Sequence, residues 1–365
     1  MSLNIGFDAK RAFLNSTGLG NYSRTLLDSL ARYAPEHRYS AYTPRTSELY
    51  NGPVPAITPH GVLNKKLSAL WRSRGIVPQL KSDKIDLYHG LSNEIPHGLA
   101  QADIPSIVTI HDLIFMQEPE GYKAIDRYVF RKKVLHSIEY SDHIVAISQQ
   151  TQQEVANFTS VRPEKISVIY QSCDPVFRRK TSVEERVKVR SAYNLPESYI
   201  LHVGGWNPRK NLDKLVDAIA MLPTTLRPAL VALGAEPRPV KGDVYVRFLQ
   251  NVPQSQVPTL YQMATLVAYP SLLEGFGLPV LEAMTSGVPV LTSPGGCMEE
   301  VGADAAIYAD PRSTEAISDG LRQLLFDSSL RDTCITAGRV RAAWFSPERI
   351  AREWAALYEE VAGKQ

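Results

Sequence analysis

Short apolar runs alternate with longer amphipathic stretches along almost the whole chain. Apolar runs bounded by turn residues are typical of buried strands, and apolar residues at helical spacing predict the helices between them. In the first half of the chain, this pattern predicts strands at residues 3–7, 85–89, 107–110, 143–147 and 167–170. It also predicts helices at residues 21–34 and 122–140. The alternation is typical of a parallel sheet covered by helices.

A second series of strands begins after a charged stretch at residues 178–190. The predicted strands of this series are residues 199–203, 229–233, 244–248, 266–269 and 288–291. From Ser346 onward, a predicted helix carries Ile350, Trp354, Leu357 and Val361 on one side, which is too apolar to face solvent. We therefore predict an α/β chain with two doubly wound parallel-sheet domains, residues 1–175 and 176–345. The C-terminal helix, residues 346–365, is predicted to pack back on the first domain.

The composition agrees with two domains and excludes some kinds of partner. The chain has 365 residues, of which 44% are hydrophobic, enough for two cores of ordinary size. Lys plus Arg numbers 40 against 38 Asp plus Glu, so we expect no nucleic-acid partner. Polar residues interrupt the first apolar run and no apolar run is long enough to cross a bilayer, so we expect neither a signal peptide nor a membrane span. The three cysteines are far apart, which favours reduced thiols and a cytoplasmic protein.

The loop after the predicted strand at residues 266–269 carries the strongest candidate chemistry. Gly275 and Gly277 lie just before a helix start marked by Pro279, where backbone N–H groups and the helix dipole attract phosphate. Glu274 lies in the loop, and we place Glu282 in the first helical turn. Carboxylates on both sides of a phosphate-binding turn suit a ligand with hydroxyls on both sides of phosphate, which describes a nucleotide sugar. The alternative is an ordinary turn whose glutamates face water.

Three further loops follow predicted strands. Arg209 and Lys210 follow the strand at residues 199–203, where two cations suit a diphosphate, although such pairs are usually solvated. Gly18 and Gly20 follow the first strand and form either a second phosphate-binding turn or an ordinary one. His111 and Asp112 end the strand at residues 107–110, at the edge of the sheet where ligands of α/β folds bind. A histidine there is as often structural as functional.

The segment from Glu274 to Glu282 resembles the signature of the retaining glycosyltransferases of family four, the group 1 glycosyltransferases. Ser286 to Val290 and Gly295 to Val301 also match, although Cys297, Met298 and Glu299 stand where a proline usually precedes the glutamate. The resemblance implies the GT-B fold, in which two Rossmann-like domains face each other across a cleft. It covers nearly the whole chain. The first domain would then bind the acceptor and the second the nucleotide-sugar donor.

The resemblance also implies roles for the residues of the second domain. Glu274 would hold the hydroxyls of the transferred sugar and Glu282 the ribose, while Arg209 and Lys210 would neutralise the leaving diphosphate. The sugar and phosphate would contact the backbone of four residues, Gly275, Phe276, Gly277 and Leu278. Many relatives have an arginine directly after the glycine of the Arg209 loop, where this chain has Gly205 and Trp206.

In the first domain, the resemblance implies that Gly18 and Gly20 touch the donor phosphate. His111 would lie near the transferred sugar, so it counts with Arg209, Lys210 and Glu274 as a catalytic residue. Asp112 would orient His111 or contribute to acceptor binding.

The activity implied is a retaining, metal-independent hexosyltransferase with no cofactor. The Asp-x-Asp metal motif of the other large glycosyltransferase fold is missing from the sequence. The chain is most similar in overall character to bacterial O-antigen and polysaccharide mannosyltransferases, so the expected donor is GDP-mannose, with UDP-sugars as the alternative. The expected acceptor is a glycan or a lipid-linked saccharide.

Contact with the inner membrane surface is a further possibility, because residues 65–74 place cations beside Leu67, Leu70 and Trp71. We favour a surface helix that buries one face. Two other functions stay open: a nucleotide-sugar epimerase of the same fold, and a non-catalytic sugar-nucleotide-binding protein.

Overall fold

The computed structural model describes residues 2–240 and 242–363. The chain divides into two compact units: unit 1 comprises Met1–Asp174 and Phe345–Gln365, and unit 2 comprises Pro175–Trp344. The charged stretch at residues 178–190 belongs to unit 2 and mostly forms a helix, because Ser182 and Glu185 make a capping box at its start.

Unit 1 is built on a parallel sheet of seven strands in the order β3-β2-β1-β4-β5-β6-β7. The strands are β1 (Asn4–Asp8), β2 (Arg38–Tyr42), β3 (Ala56–Ile57), β4 (Leu87–Gly90), β5 (Ser106–Ile110), β6 (His143–Ala146) and β7 (Ile166–Val168). The helices before residue 160 are α1 (Lys10–Leu14), α2 (Gly18–Tyr33), α3 (Val62–Lys66), α4 (Ser68–Leu70), α5 (Val77–Ser82), α6 (Ile114–Gln117), α7 (Ala124–Tyr140) and α8 (Gln149–Phe158). The central strands β4, β5 and β6 are buried along their whole length, as near-continuous apolar runs predict for a parallel sheet covered on both faces.

Unit 2 has a parallel sheet of six strands in the order β10-β9-β8-β11-β12-β13. The strands are β8 (Tyr199–Val203), β9 (Ala229–Leu233), β10 (Val246–Leu249), β11 (Leu266–Tyr269), β12 (Val290–Thr292) and β13 (Ile307–Tyr308). The helices are α9 (Val183–Tyr193), α10 (Leu212–Ala220), α11 (Val257–Met263), α12 (Leu278–Ser286), α13 (Gly296–Gly302), α14 (Thr314–Phe326) and α15 (Ser328–Ala343). The prediction of two parallel-sheet α/β domains is confirmed.

The last helix, α16 (Pro347–Ala362), packs on α2 of unit 1. It begins at a proline, which suits the first helical turn, and Ile350, Trp354, Leu357 and Val361 are all buried. A hydrogen bond also joins this face of α16 to the sheet, because the hydroxyl of Tyr358 lies 2.9 Å from Nδ1 of His89 on β4. The apolar side read from the sequence is therefore part of the core of unit 1.

Several predicted elements differ from the observed ones. The strands β2, β3 and β13 were not predicted, because β2 begins with the exposed Arg38 and contains no continuous apolar run, and the other two have only two residues each. The helix predicted at residues 21–34 begins three residues earlier, at Gly18, and α1 precedes it. Most predicted strands are displaced by one or two residues, as expected when apolar runs continue past the last ladder hydrogen bond.

Residues 65–74 do not form one surface helix. They are divided among α3, α4 and a π-helical turn at Trp71–Gly75. Trp71 is 1% exposed and its indole N–H donates to Gln79 Oε1 at 3.2 Å, whereas Leu67 and Leu70 are 47% and 55% exposed. The prediction of a single buried face is wrong, because the two leucines point to solvent while Trp71 turns inward. Among the described residues, no helix combines the length and apolar character that crossing a membrane requires.

Candidate functional site

The loops that follow β8 and β11 meet at one edge of the sheet in unit 2. The two strands are neighbours in the sheet although β9 and β10 separate them in sequence. Asn211, in left-handed conformation, fastens the loops together by donating from its side chain to the carbonyl of Pro270 at 3.0 Å and to that of Pro311 at 2.7 Å. The carbonyl of Arg209 accepts from the amide of Leu272 at 2.8 Å. This arrangement places Arg209 and Lys210 against the start of the Glu274 loop.

Glu274 is the centre of the site in unit 2. Its Oε1 lies 2.6 Å from Nζ of Lys210, and it accepts hydrogen bonds from the hydroxyls of Tyr269 at 2.7 Å and Ser271 at 2.5 Å. Its Oε2 lies 2.7 Å from the guanidinium of Arg209. The side chain is therefore fixed by two cations and two hydroxyls, and the structure brings together three residues that the sequence singled out separately.

The electrostatics of Glu274 follow from these contacts. Burial by itself would raise the pKa of this carboxyl, but the charges of Lys210 and Arg209 and the hydrogen bonds from Lys210 and Ser271 hold the pKa below its usual value. Burial and the nearby carboxylate raise the pKa of Tyr269 well above its usual range, so this phenol stays a neutral donor. Two cations against one carboxylate leave the cluster with a positive formal charge, which suits an anionic ligand.

Helix α12 begins beside this cluster. Gly277 is its N-cap, with a φ of 112° that favours glycine, and Pro279 lies in the first turn as predicted. Within the described part of the chain, the amides of Gly277 and Leu278 have no hydrogen-bond acceptor. A helix start with unused N–H groups is a favourable place for a phosphate oxygen. Gly275 and Phe276 form the turn that leads into it.

Glu282 lies one turn further along α12 than we placed it. The helix begins at Leu278, so Glu282 is in the second turn, and the first turn contains no acidic residue. The placement in the first turn is therefore wrong, because the helix starts at Leu278, one residue before Pro279. The hydroxyl of Tyr261 donates to Oε2 of Glu282 at 2.6 Å, which orients the carboxylate.

The candidates of the first domain lie in unit 1. His111 follows β5, is 4% exposed and donates from Nε2 to the carbonyl of Leu91 at 2.8 Å. The side-chain amide of Gln171 makes a long 3.5 Å contact with Nδ1, and the ring of Tyr22 packs edge-on at 4.6 Å between centroids. Burial lowers the pKa of His111 to about 4, so the imidazole is neutral at pH 7.

Asp112, Gly18 and Gly20 have different surroundings in unit 1. Oδ1 of Asp112 accepts from the amide of Ile114, the first residue of α6, at 3.2 Å, and Leu91 and Gln171 contact the ring of His111. A Cβ at Gly20 would lie 1.8 Å from the carbonyl oxygen of Asn15, so close packing alone requires glycine there. A Cβ on Gly18 would meet no heavy atom within 4 Å. Packing in unit 1 therefore explains why residue 20 is glycine but does not explain why residue 18 is glycine.

Reasoning from the sequence missed Tyr269, Ser271, Asn211 and Tyr261, which hold the charged residues in place. Ser271 and Asn211 stand next to singled-out segments, so their position in strand-end loops could have suggested them. Tyr261 lies on a different helix, and nothing in its local sequence marks it. Within the residues that the structure describes, no group of three or more His, Cys, Asp or Glu side chains is arranged to hold a metal ion.

Comparison with known proteins identifies the family. The model of the glycosyl transferases group 1 matches residues 183–341, and that of glycosyltransferase family 4 matches residues 16–177. The O-antigen chain mannosyltransferase B of Escherichia coli is 32% identical over 296 residues, which are 77% of this chain and 76% of that protein. The chain belongs to the group 1 glycosyltransferases. It is a glycosyltransferase related to the O-antigen mannosyltransferases.

A second curated relative is matched over a smaller part of its own length, and solved structures show the fold. The serotype-specific mannosyltransferase WbdA of Escherichia coli is 28% identical over 264 residues, which cover 67% of this chain but only 32% of that longer protein. Among solved structures, Anabaena HepE in complex with UDP and glucose superposes with a TM-score of 0.74 at 19% identity, covering 98% of this chain and 100% of that one. WaaG, a glycosyltransferase involved in lipopolysaccharide biosynthesis, superposes with a TM-score of 0.71 at 19% identity, covering 99% and 100%. These structures share the GT-B fold with this chain.

Proposed function

We propose that this glycosyltransferase moves a hexose from a nucleotide-diphosphate sugar to a glycan or a lipid-linked saccharide, and that the hexose is mannose from GDP-mannose. The observation that carries the proposal is the cluster of Arg209, Lys210 and Glu274 beside the uncapped start of α12. Support for mannose comes from the similarity to O-antigen chain mannosyltransferases of Escherichia coli and Salmonella typhimurium. UDP-sugars are the second class of donor to test.

In this proposal, the diphosphate of the donor lies against Lys210, Arg209 and the amides of Gly277 and Leu278. Positive charge already in place stabilises the negative charge that develops on the leaving diphosphate, which is usually the largest contribution to catalysis. Glu274 holds hydroxyls of the transferred sugar. Glu282, oriented by Tyr261, holds the ribose.

We further propose that the reaction retains the anomeric configuration through attack on the same face from which the diphosphate leaves, with the leaving phosphate accepting the acceptor's proton. Glu274 is a poor nucleophile, because two cations neutralise its charge and two hydroxyls donate hydrogen bonds to its Oε1. His111 is neutral, and its Nε2–H donates a hydrogen bond to the carbonyl of Leu91. Its proposed role is therefore to contact the sugar and not to act as an acid.

The proposed reaction needs no metal, because Arg209, Lys210 and the helix start supply the positive charge that a metal would bring to the diphosphate. It also needs no cofactor. We propose a cytoplasmic location, supported by the three buried cysteines, none of which is in a disulfide in the described part of the chain.

Incubation of the purified chain with candidate donors and a mannose-terminated oligosaccharide tests the proposal. We expect a product one hexose heavier by mass spectrometry when GDP-mannose is supplied, and equal activity in EDTA. Conversion of the donor into another nucleotide sugar without acceptor would indicate an epimerase instead. Binding of a nucleoside diphosphate, seen as a thermal shift, without transfer from any donor would indicate a non-catalytic binding protein.

A further inference from the structure

Unit 1 contains a cavity of about 930 Å³ that none of the candidate catalytic, donor-binding or acceptor-binding residues lines. Its wall includes Asp8 at the end of β1, Arg45 beyond β2 and Glu94 in the loop after β4. These positions are at the carboxyl ends of neighbouring parallel strands, the edge at which open α/β sheets bind ligands. The volume lies within the range of roughly 300–1,000 Å³ that is usual for small-molecule sites.

The cavity concentrates positive charge. Seven Lys and Arg side chains line it against two carboxylates, whereas the whole chain has a net charge of only +2. The guanidinium of Arg72 forms ion pairs with both carboxylates, at 2.8 Å from Asp8 and 2.7 Å from Glu94. The ammonium of Lys133 lies 3.2 Å from the carboxylate of Glu94. The two anions of the wall are therefore already paired.

Five cations of the wall make no ion pair with a carboxylate in the described part of the chain: Lys10, Arg45, Lys65, Arg74 and Lys132. They come from α1, α3, α7, the loop after β2 and the π-helical turn, so the fold gathers them from separate parts of the sequence. Burial, together with the nearby charges of Arg72 and Arg11, lowers the pKa of Lys10. Cations that repel one another in this way are stabilised by a bound anion.

The paired carboxylates add a second kind of contact. Asp8 is 4% exposed, and the carboxylates of Asp8 and Glu94, fixed by Arg72, can accept hydrogen bonds from hydroxyl groups. Two hydroxyl side chains, Ser68 and Ser73, also line the cavity. A ligand that combines several hydroxyls with phosphate fits this wall better than a bare anion or a neutral sugar.

We infer that this cavity binds a saccharide bearing a phosphate or diphosphate group, as the acceptor of the reaction. The inference rests on the proposed function, because it names the chemical class of the acceptor. The phosphate ester is shared by two sources, a free sugar phosphate and a saccharide attached through diphosphate to a lipid.

A binding experiment with the full chain tests the inference with inorganic pyrophosphate as the first probe. In the double variant Lys65→Gln/Arg74→Gln, we expect pyrophosphate to bind at least about tenfold more weakly by calorimetry, as loss of two charge-assisted contacts implies. The matched control is Arg38→Gln/Lys81→Gln, which removes the same charges from exposed positions outside the cavity and should leave the affinity unchanged. Equal affinities in the cavity variant and the unaltered chain would overturn the inference.

Pyrophosphate can also bind to Arg209 and Lys210 in unit 2, so the titration is repeated in the Lys210→Ala variant, where the loss caused by Lys65→Gln/Arg74→Gln should persist. Affinity for nucleoside diphosphate should not change in the cavity variant. A chain that binds pyrophosphate in the cavity but transfers no sugar would contradict the proposed function alone. A chain that transfers sugar equally well with and without the cavity charges would contradict this inference alone.

Acceptor kinetics separate the two sources. The probes are one saccharide in three forms: unmodified, as its 1-phosphate, and linked through diphosphate to a long alkyl chain. We expect the cavity variant to raise KM for both phosphorylated forms and not for the unmodified form. A lower KM for the alkyl diphosphate than for the sugar phosphate supports a lipid-linked acceptor, and the reverse order supports a free one. Equal KM values for all three forms would contradict the inference.

Discussion

Nζ of Lys210 lies 2.6 Å from Oε1 of Glu274, and the two residues come from loops that follow neighbouring strands of the same sheet. The carboxylate therefore has two roles in the proposed reaction. It holds Lys210 and Arg209 in place, and it presents oxygens to the hydroxyls of the transferred sugar.

Replacing Glu274 with Gln should impair transfer while sparing nucleotide binding. The amide keeps most of the size of the side chain but removes the charge that neutralises Lys210 and Arg209, so both cations stay available to a diphosphate. We expect affinity for nucleoside diphosphate to stay equal or increase, and turnover to fall on the order of a hundredfold. Glu353→Gln on α16 is a suitable control, because it alters an exposed ion pair far along the chain. A parallel loss of nucleoside diphosphate affinity would argue against the assignment of Glu274 to the sugar.

Acid should destabilise the fold through buried histidines. Burial lowers the pKa values of His111 and His202 to about 4 and that of His89 to about 3. Below pH 6.5 these histidines bind protons in the unfolded chain but stay neutral in the folded chain. Their contribution to the free energy of unfolding is therefore fully present above pH 6.5 and is lost as the pH falls towards 4. Each such histidine contributes a slope of at most about 1.4 kcal/mol per pH unit.

Thermal unfolding between pH 7 and pH 4 checks this expectation. In His202→Asn, whose amide can still donate to the carbonyl of Ala268, the fall in unfolding temperature with acid should be shallower than in the unaltered chain. The same slope in both proteins would mean that His202 titrates normally in the folded state.

Two glycines provide a matched pair of variants. Gly277 has a φ of 112°, so Gly277→Ala should cost about 1 kcal/mol of stability or more and reduce transfer as well. Gly18 lies in the first turn of α2, and an added Cβ would meet no heavy atom within 4 Å. Gly18→Ala should therefore leave the free energy of unfolding unchanged or raise it slightly. If Gly18 approaches the donor phosphate, the added methyl group will still lower transfer. Full activity in Gly18→Ala would remove Gly18 from the donor site.

Much of the fold could be predicted, because both sheets are built from apolar runs that are buried on both faces. Strands such as β5 and β11 consist almost entirely of apolar or β-branched residues, and their pattern is unambiguous. The short strands β3 and β13 have no such pattern. Helix α1 was not predicted, since five residues are too few to show a helical period.

The candidate site could be predicted only in part. Glu274, Arg209 and Lys210 each stood at a strand end, but their direct contact depends on β8 lying next to β11, which the alternation of strands and helices does not specify. Tyr261 reaches Glu282 from another helix for the same reason. The cationic cavity gathers residues from five separate segments. The cations of residues 65–74 were singled out, but the sequence does not show that they lie beside the cations of the other segments.

Stabilisation of the leaving diphosphate by Lys210 is the central step of the proposed reaction. Single-turnover transfer at saturating donor should be measured for the unaltered chain, for Lys210→Ala and for the control Lys188→Ala, which removes an exposed cation of α9. We expect a rate at least about a hundredfold lower for Lys210→Ala and an unchanged rate for the control. An unchanged rate in Lys210→Ala would mean that Lys210 does not stabilise the leaving diphosphate.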